Sequence, residues 1–416
     1  MTTALLVMRK GCKNHPDHIA RIRDLGIDIV GVTTDPALLA DRRFRHVEIL
    51  PDADSQSTVR NVVAIARTHR ADFAITFQET DIILAASVNA ALGREAVPVE
   101  AAKTCRSKAA QRALFAEADL PTVGFRTVGS VAAGKKAAEV LGYPIIVKPT
   151  SAASSVNVSL VRTPDELAYE LTRIQELSSK RRGFYFDDND QDFAILEEYL
   201  PGIEVTVDGV VVDGVFHLGG IHNKLHTEGP YFEEDFYTLP YSEPDCEEAL
   251  TQLSAGICKA LALQNTLFNV ECRRDRAGTF RIVECSCRVS GGSVYKNIRD
   301  VYGIDMVGAH MAALVPALSQ RREEFLTRSA PARATCIKFI YGSGLLVSNN
   351  VGAAINHAAF RAYFPFPKPG TVVKRAPEGF DIIGVMTVAT PEGDCSVASV
   401  EKLALEVADR LDVVLR

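Results

Sequence analysis

The chain has 416 residues, 47% of them hydrophobic and 24% charged, enough for two or three domains with buried cores and unlike a disordered chain. A formal net charge of −6 argues against a general nucleic-acid binder but leaves room for a local basic pocket. No stretch approaches the roughly 20 apolar residues of a membrane-spanning helix, and MTTALLVMRKGCKNH lacks the basic start and apolar run of a signal peptide, so a cytoplasmic protein with no membrane partner is expected.

In chain order, ALLVM (4–8) reads as a buried strand, HPDHIARIRDLG (15–26) as a helix and IDIVGVTTD (27–35) as a second strand. Residues 59–70, 71–77 and 81–93 continue as helix, strand and helix, a rhythm that predicts a parallel sheet with helices on its faces. The first strand is not followed by GxGxxG, so no dinucleotide site is expected there. Residues 102–120 are rich in good helix formers and predict one helix, stopped before Pro121. Strands at 123–128, 144–149 and 158–161, with a helix at 130–141, predict a small α+β unit. In TPDELAYELTRIQEL (163–177), Thr163 is the expected N-cap and Pro164 opens the first turn. KRRGFYFDDNDQD (180–192) reads as a polar connection. FAILEEYL (193–200) is a strand, and residues 201–221 are strands joined by a VDG turn. HNKLHTEGPYFEEDFYTLP (222–240) reads as a long functional loop, and 243–263 as a helix. A helical stretch at 303–318 precedes short strands and a last helix, SVEKLALEVADRL.

Residues 267–292, LFNVECRRDRAGTFRIVECSCRVSGG, predict a β-hairpin around the polar turn RDRAGT. With the turn centred between Ala277 and Gly278, Glu271 lies directly opposite Glu284. Like charges so placed are destabilising, and a hard cation between them reverses the sign. By alternation Ser286 and Arg288 share the face of Glu284. Read alone, the stretch is equally compatible with the solvated face of an ordinary hairpin. Nine cysteines without a CxxC spacing point to neither a zinc ribbon nor a disulfide framework. Cys285 and Cys287, facing away from the glutamates, read as core residues. Lys148 closes the apolar run PIIVK, where an unpaired charge is costly and a phosphate oxygen is a natural partner.

In this order and spacing the pieces resemble the ATP-grasp superfamily, most closely its L-amino acid ligases of the bacilysin-synthesis type, with biotin carboxylase more distant. The resemblance runs over almost the whole chain and rests on the ordered set. It implies an α/β and α+β ATP-grasp fold. A Rossmann-like domain (1–104) would precede a central region with the lid subdomain (105–196), a catalytic subdomain (197–330) and a C-terminal α+β subdomain (331–416). It implies ATP with Mg²⁺, or Mn²⁺ in its place. Lys108 and Lys148 would face the nucleotide phosphates, under a lid loop carrying Ser151, Ser154 and Ser155. Glu197 would meet the adenine amino group, with Glu198, Tyr199 and Leu200 beside it, and Glu204 the ribose. Lys224 and Arg288 are the implied catalytic cations, and Glu271 and Glu284 the metal ligands. Many relatives carry Asn where this chain has Ser286, so one metal or two stays open, with Asn269 opposite as a further donor.

Gly291, Gly292 and Ser293 are the candidate amino-acid pocket, and Glu233 or Glu234 the candidate partner of an ammonium group; a solvated acidic loop is the other reading of that segment. His222 and His226 are weaker candidates. The implied activity joins a carboxylate to an amine, both expected to be amino acids, through an acyl-phosphate with release of ADP and phosphate. The alternatives are a carboxylase-like or nucleotide-biosynthetic enzyme using bicarbonate or formate, or a non-catalytic ATP-binding regulator. The expected partners are small-molecule substrates, no nucleic acid, and, by resemblance, a second copy in a homodimer.

Overall fold

The computed structural model describes residues 2–12, 15–50, 55–151, 156–180, 192–227 and 229–416. Its N-terminal sheet is parallel, in the order His46–Ile49, Asp28–Thr33, Thr3–Val7, Phe73–Ile75, with helices Pro16–Asp24 and Ser55–Thr68 between its strands and Ile82–Ala91 after the last of them. The expected alternation is present. Strand His46–Ile49 was not expected: HVEI does alternate polar and apolar residues, but the run is only four residues long and half-exposed.

The helix expected over 102–120 is two helices, Val99–Arg106 and Lys108–Glu117. Ser107 between them is extended, and its hydroxyl accepts from the Ala110 N–H at 3.3 Å. A serine cap thus starts a new helix inside a run of helix formers. A four-stranded sheet follows, in the order Phe125–Val128, Ala194–Glu198, Ile145–Pro149, Ser159–Val161, covered by Val131–Leu141 and Pro164–Lys180. Thr163 caps the second helix as expected, accepting from the Glu166 N–H at 3.2 Å. This lid unit has its own core around Ile145, Leu167, Leu171 and Leu196.

The largest sheet has eight antiparallel strands: Phe280–Ser286, Thr266–Arg274, Glu204–Val212, Val215–Leu225, Phe236–Leu239, Thr335–Ile340, Gly384–Ala389 and Phe360–Pro365. The VDG turn is a tight hairpin in which Asp213 (φ 49°) and Gly214 (φ 81°) both adopt the left-handed conformation that such turns require. Much of the loop expected over 222–240 is strand, since Asn223 pairs with Thr238 and only 226–235 connect the two runs. The helix expected at 303–318 is Met306–Leu314, capped by Asp305, and a helix that was not expected, Val294–Tyr302, precedes it and is closed by Gly303 (φ 77°). These helices put Tyr295, Ile298 and Val301 into one core with Ile19 and Phe77 of the N-terminal domain.

Candidate active site

The lid sheet, the large sheet and the C-terminal strands enclose a cleft of about 340 Å³. Its floor is the hairpin. Glu271 pairs with Glu284 and Asn269 with Ser286, in the expected register. Beyond Glu271 the register slips, so that Cys272 faces Ile282 and the turn centres one half-residue earlier than the sequence suggested. The irregularity keeps both glutamates on the cleft face, as bulges beside active sites do. Cys272 and Cys285 point the other way into a buried core, which Cys287 joins, as expected.

Glu271 is flanked by Glu204, Glu234 and Glu284. Burial pushes its carboxyl up to about 7, those neighbours adding to the effect and Lys224 opposing it. Lys224 Nζ lies 2.5 Å from Glu204, 3.3 Å from Glu271 and 3.4 Å from Glu234. Burial alone would lower its pKa; the surrounding carboxylates hold it well above the usual lysine range. Arg273 pairs with the second oxygen of Glu204 at 3.1 Å. Both Glu204 oxygens, assigned by resemblance to ribose, are therefore engaged by cations.

Lys108 is fixed by the serine cap, and its backbone N–H donates to the Thr150 carbonyl at 2.9 Å, tying it to the end of the Lys148 strand. Its ammonium donates to Glu284 at 2.8 Å. Lys148 is buried and meets Glu197 at 2.7 Å, while the other Glu197 oxygen lies 2.7 Å from Arg112. Burial would raise the Glu197 carboxyl, yet Arg112 and Lys148 outweigh it and hold it low. In place of an open carboxylate for adenine, Glu197 is the middle of a buried Arg112–Glu197–Lys148 chain. A buried charge needs such partners. Glu198, Tyr199 and Leu200 line the cleft.

Arg288 has a partner that the sequence did not reveal. Glu79, from the N-terminal domain, accepts from Arg288 Nε and from the Ser286 hydroxyl, both at 2.7 Å, and Arg106 is 3.4 Å away. The position that departs from the usual Asn is thus a hydroxyl donor to Glu79. The available signal was topological. Glu79 lies just beyond the carboxyl end of strand Phe73–Ile75, the rim where open α/β sheets bind ligands.

Ser290, Gly291 and Gly292 line the cleft, and Ser293 does not; it is buried behind them. The Ser290 N–H donates to Asp208 at 2.7 Å, which anchors this glycine turn from beneath. Glu233 is likewise outside the cleft, because Arg375 binds its carboxylate. Its neighbour Glu234 lines the cleft and accepts from the Tyr237 hydroxyl at 2.5 Å. His226 pairs with Glu401 on an exposed face, and His222 is buried outside the cleft lining. Ser154 and Ser155 lie outside the described residues, and Ser151 is buried.

Opposed carboxylates, three lysines and two arginines line this cleft beside the small antiparallel sheet, in a fold of the ATP-grasp type. Comparison with known proteins agrees. Residues 141–296 match the ATP-grasp domain family. Alanine–anticapsin ligase of Bacillus subtilis is 24% identical over 267 residues, 61% of this chain and 56% of that protein. The L-arginine-specific L-amino acid ligase of the same species is 21% identical over 264 residues, 63% and 62% respectively. The chain thus spans less than two thirds of the length of these relatives. Among solved structures, an L-amino acid ligase from Bacillus licheniformis shares the fold at a TM-score of 0.83 and 20% identity, over 100% of this chain and 99% of that one. Among the described residues no helix is long and apolar enough to cross a membrane.

Proposed function

We propose that the protein is an ATP-dependent carboxylate–amine ligase that joins two amino acids. The observation that carries this reading is the in-register Glu271–Glu284 pair, ringed by Lys108, Lys224 and Arg288. Two opposed, half-buried carboxylates, one of them pushed up to about 7, suit a divalent cation between them. Glu271 and Glu284 would hold Mg²⁺ there, where it would offset phosphate charge. Lys108 and Lys148 lie where they can bind the nucleotide phosphates. Lys224 and Arg288 stabilise charge as a substrate carboxylate oxygen bonds to the γ-phosphorus and ADP leaves. The amine then attacks the acyl carbon, loses a proton and expels phosphate. Such catalysis is positioning and electrostatics, with no protein nucleophile. The apolar rim of Phe339, Ile382 and Val385 near Gly291 and Gly292 suits an amino-acid side chain. The names of the relatives, both amino acid ligases, support amino acids as substrates.

ADP release measured over a panel of amino-acid pairs tests the reading, with bicarbonate and formate as separate arms. Stimulation by a pair, with a dipeptide as product, is expected. Stimulation by bicarbonate or formate alone would move the protein to a carboxylase-like or nucleotide-biosynthetic chemistry, and stimulation by nothing would leave a nucleotide-binding regulator. Glu284→Ala is expected to lower turnover at least 10³-fold with an unchanged circular dichroism spectrum, since it removes both a metal ligand and the partner of Lys108.

A further inference from the structure

A second convergence of ligating side chains lies away from the cleft, at the edge of the N-terminal parallel sheet. Strand His46–Ile49 is that edge, and alternation places His46 and Glu48 on one face of it. His69 follows the last turn of helix Ser55–Thr68, which delivers it to the same face. His46 Nε2 is 3.0 Å and His69 Nε2 2.7 Å from the same Glu48 oxygen, Oε1, and the two rings stack at 4.5 Å between centroids. One ligating atom from each residue falls within a 4.8 Å group.

Two imidazole nitrogens and a carboxylate oxygen are a donor set of zinc type. With metal–ligand bonds of about 2.0–2.2 Å, ligands around a tetrahedral ion sit roughly 3.3–3.5 Å apart. The nitrogen–oxygen pairs here need to open by only about half an ångström to admit one. His46 is 49% exposed and His69 18%, so the cluster has an open outer side for a water as fourth ligand. The C-terminal end of the helix before His69 also favours positive charge.

We propose that His46, Glu48 and His69 bind a divalent transition metal of the zinc class, which would staple the sheet's edge strand to the end of the helix that follows it. The cleft and this cluster differ in softness. Imidazoles favour Zn²⁺ over Mg²⁺, so millimolar Mg²⁺, which suits the paired carboxylates of the cleft, should not displace zinc from this cluster.

The test uses full-length protein without a histidine tag, stripped with chelator and titrated with Zn²⁺ by calorimetry and by thermal melting. One equivalent of saturable zinc binding at micromolar concentration is expected, with a higher Tm, undiminished by millimolar Mg²⁺. His46→Ala and His69→Ala should each remove that equivalent and the Tm rise, and Glu48→Gln, which keeps the shape, should weaken binding at least 10-fold. None of the three should alter ATP-dependent turnover, which separates a failure here from a failure of the ligase reading. Zinc binding that persists in the His46→Ala/His69→Ala double variant, or no saturable binding below millimolar zinc, would overturn the assignment.

Discussion

Asp208 illustrates how single side chains are tuned beneath the cleft. It is fully buried, and burial pushes its carboxyl up to about 6, even though the Ser290 N–H donates to it. A carboxyl with a folded-state pKa above its ordinary 3.8 contributes stability that is complete below 3.8 and lost as pH rises through about 6. By that displacement, the ionised form costs at most about 3 kcal/mol at neutral pH. Asp208→Asn keeps an acceptor for Ser290 and removes the charge. Urea unfolding should therefore find the variant more stable than the wild type at pH 8, by up to about 3 kcal/mol, with the gap closing at pH 4. A difference that does not change with pH would show that folding leaves the Asp208 pKa where the unfolded chain has it. Glu197 is the opposite case. Its burial is compensated by two cations, so Arg112 and Lys148 keep it ionised and it in turn fixes Lys148.

At the scale of elements, some local signals set by single residues were legible. Thr163 and Pro164 announced their helix, and the VDG turn its hairpin. The hairpin's polar turn and flanking runs gave the Glu271–Glu284 pairing, although the slip beyond Glu271 could not be read, because which residue a bulge accommodates depends on packing across both faces. Ser107 is instructive because its signal was present and outvoted. Good helix formers on either side predict continuity, yet the serine hydroxyl caps Ala110 and the chain turns there, placing Lys108 first in the new helix. Ser107→Ala should cost about 1 kcal/mol in urea unfolding. It should also raise the KM for ATP several-fold, because Lys108 owes its position to the cap and to its N–H bond with Thr150. An unaltered KM with the expected stability loss would mean that the Thr150 bond alone positions the lysine.

For the whole molecule, the cleft is assembled from parts that no sequence window contains together. Arg288 and Glu79 are 209 residues apart, and so are invisible to spacing arguments. What joins them is a core shared by the N-terminal domain and the helices after the hairpin, in which Phe77 packs with Tyr295 and Ile298. The lid keeps a separate core but is tied across the cleft, where Arg173 donates to the Pro377 carbonyl and the Leu160 N–H donates to the Pro230 carbonyl. The N-terminal domain therefore does more than support the fold: through Glu79 it orients Arg288. Burial would raise the Glu79 carboxyl, but Arg288 and Arg106 hold it below the usual range, so it is a fixed anion at working pH. Removing one member of a buried ion pair costs about 3–5 kcal/mol, which makes Glu79→Ala a test of stability more than of mechanism. Glu79→Gln is the sharper variant, since it keeps the acceptor oxygen and loses only the charge. Lys108 and Lys148, held by Glu284 and Glu197, are left in place, so ATP binding should change less than about twofold while turnover falls at least 10-fold. Equal losses in nucleotide affinity and turnover would instead make Glu79 part of the general architecture of the cleft, with no particular claim on the transfer step.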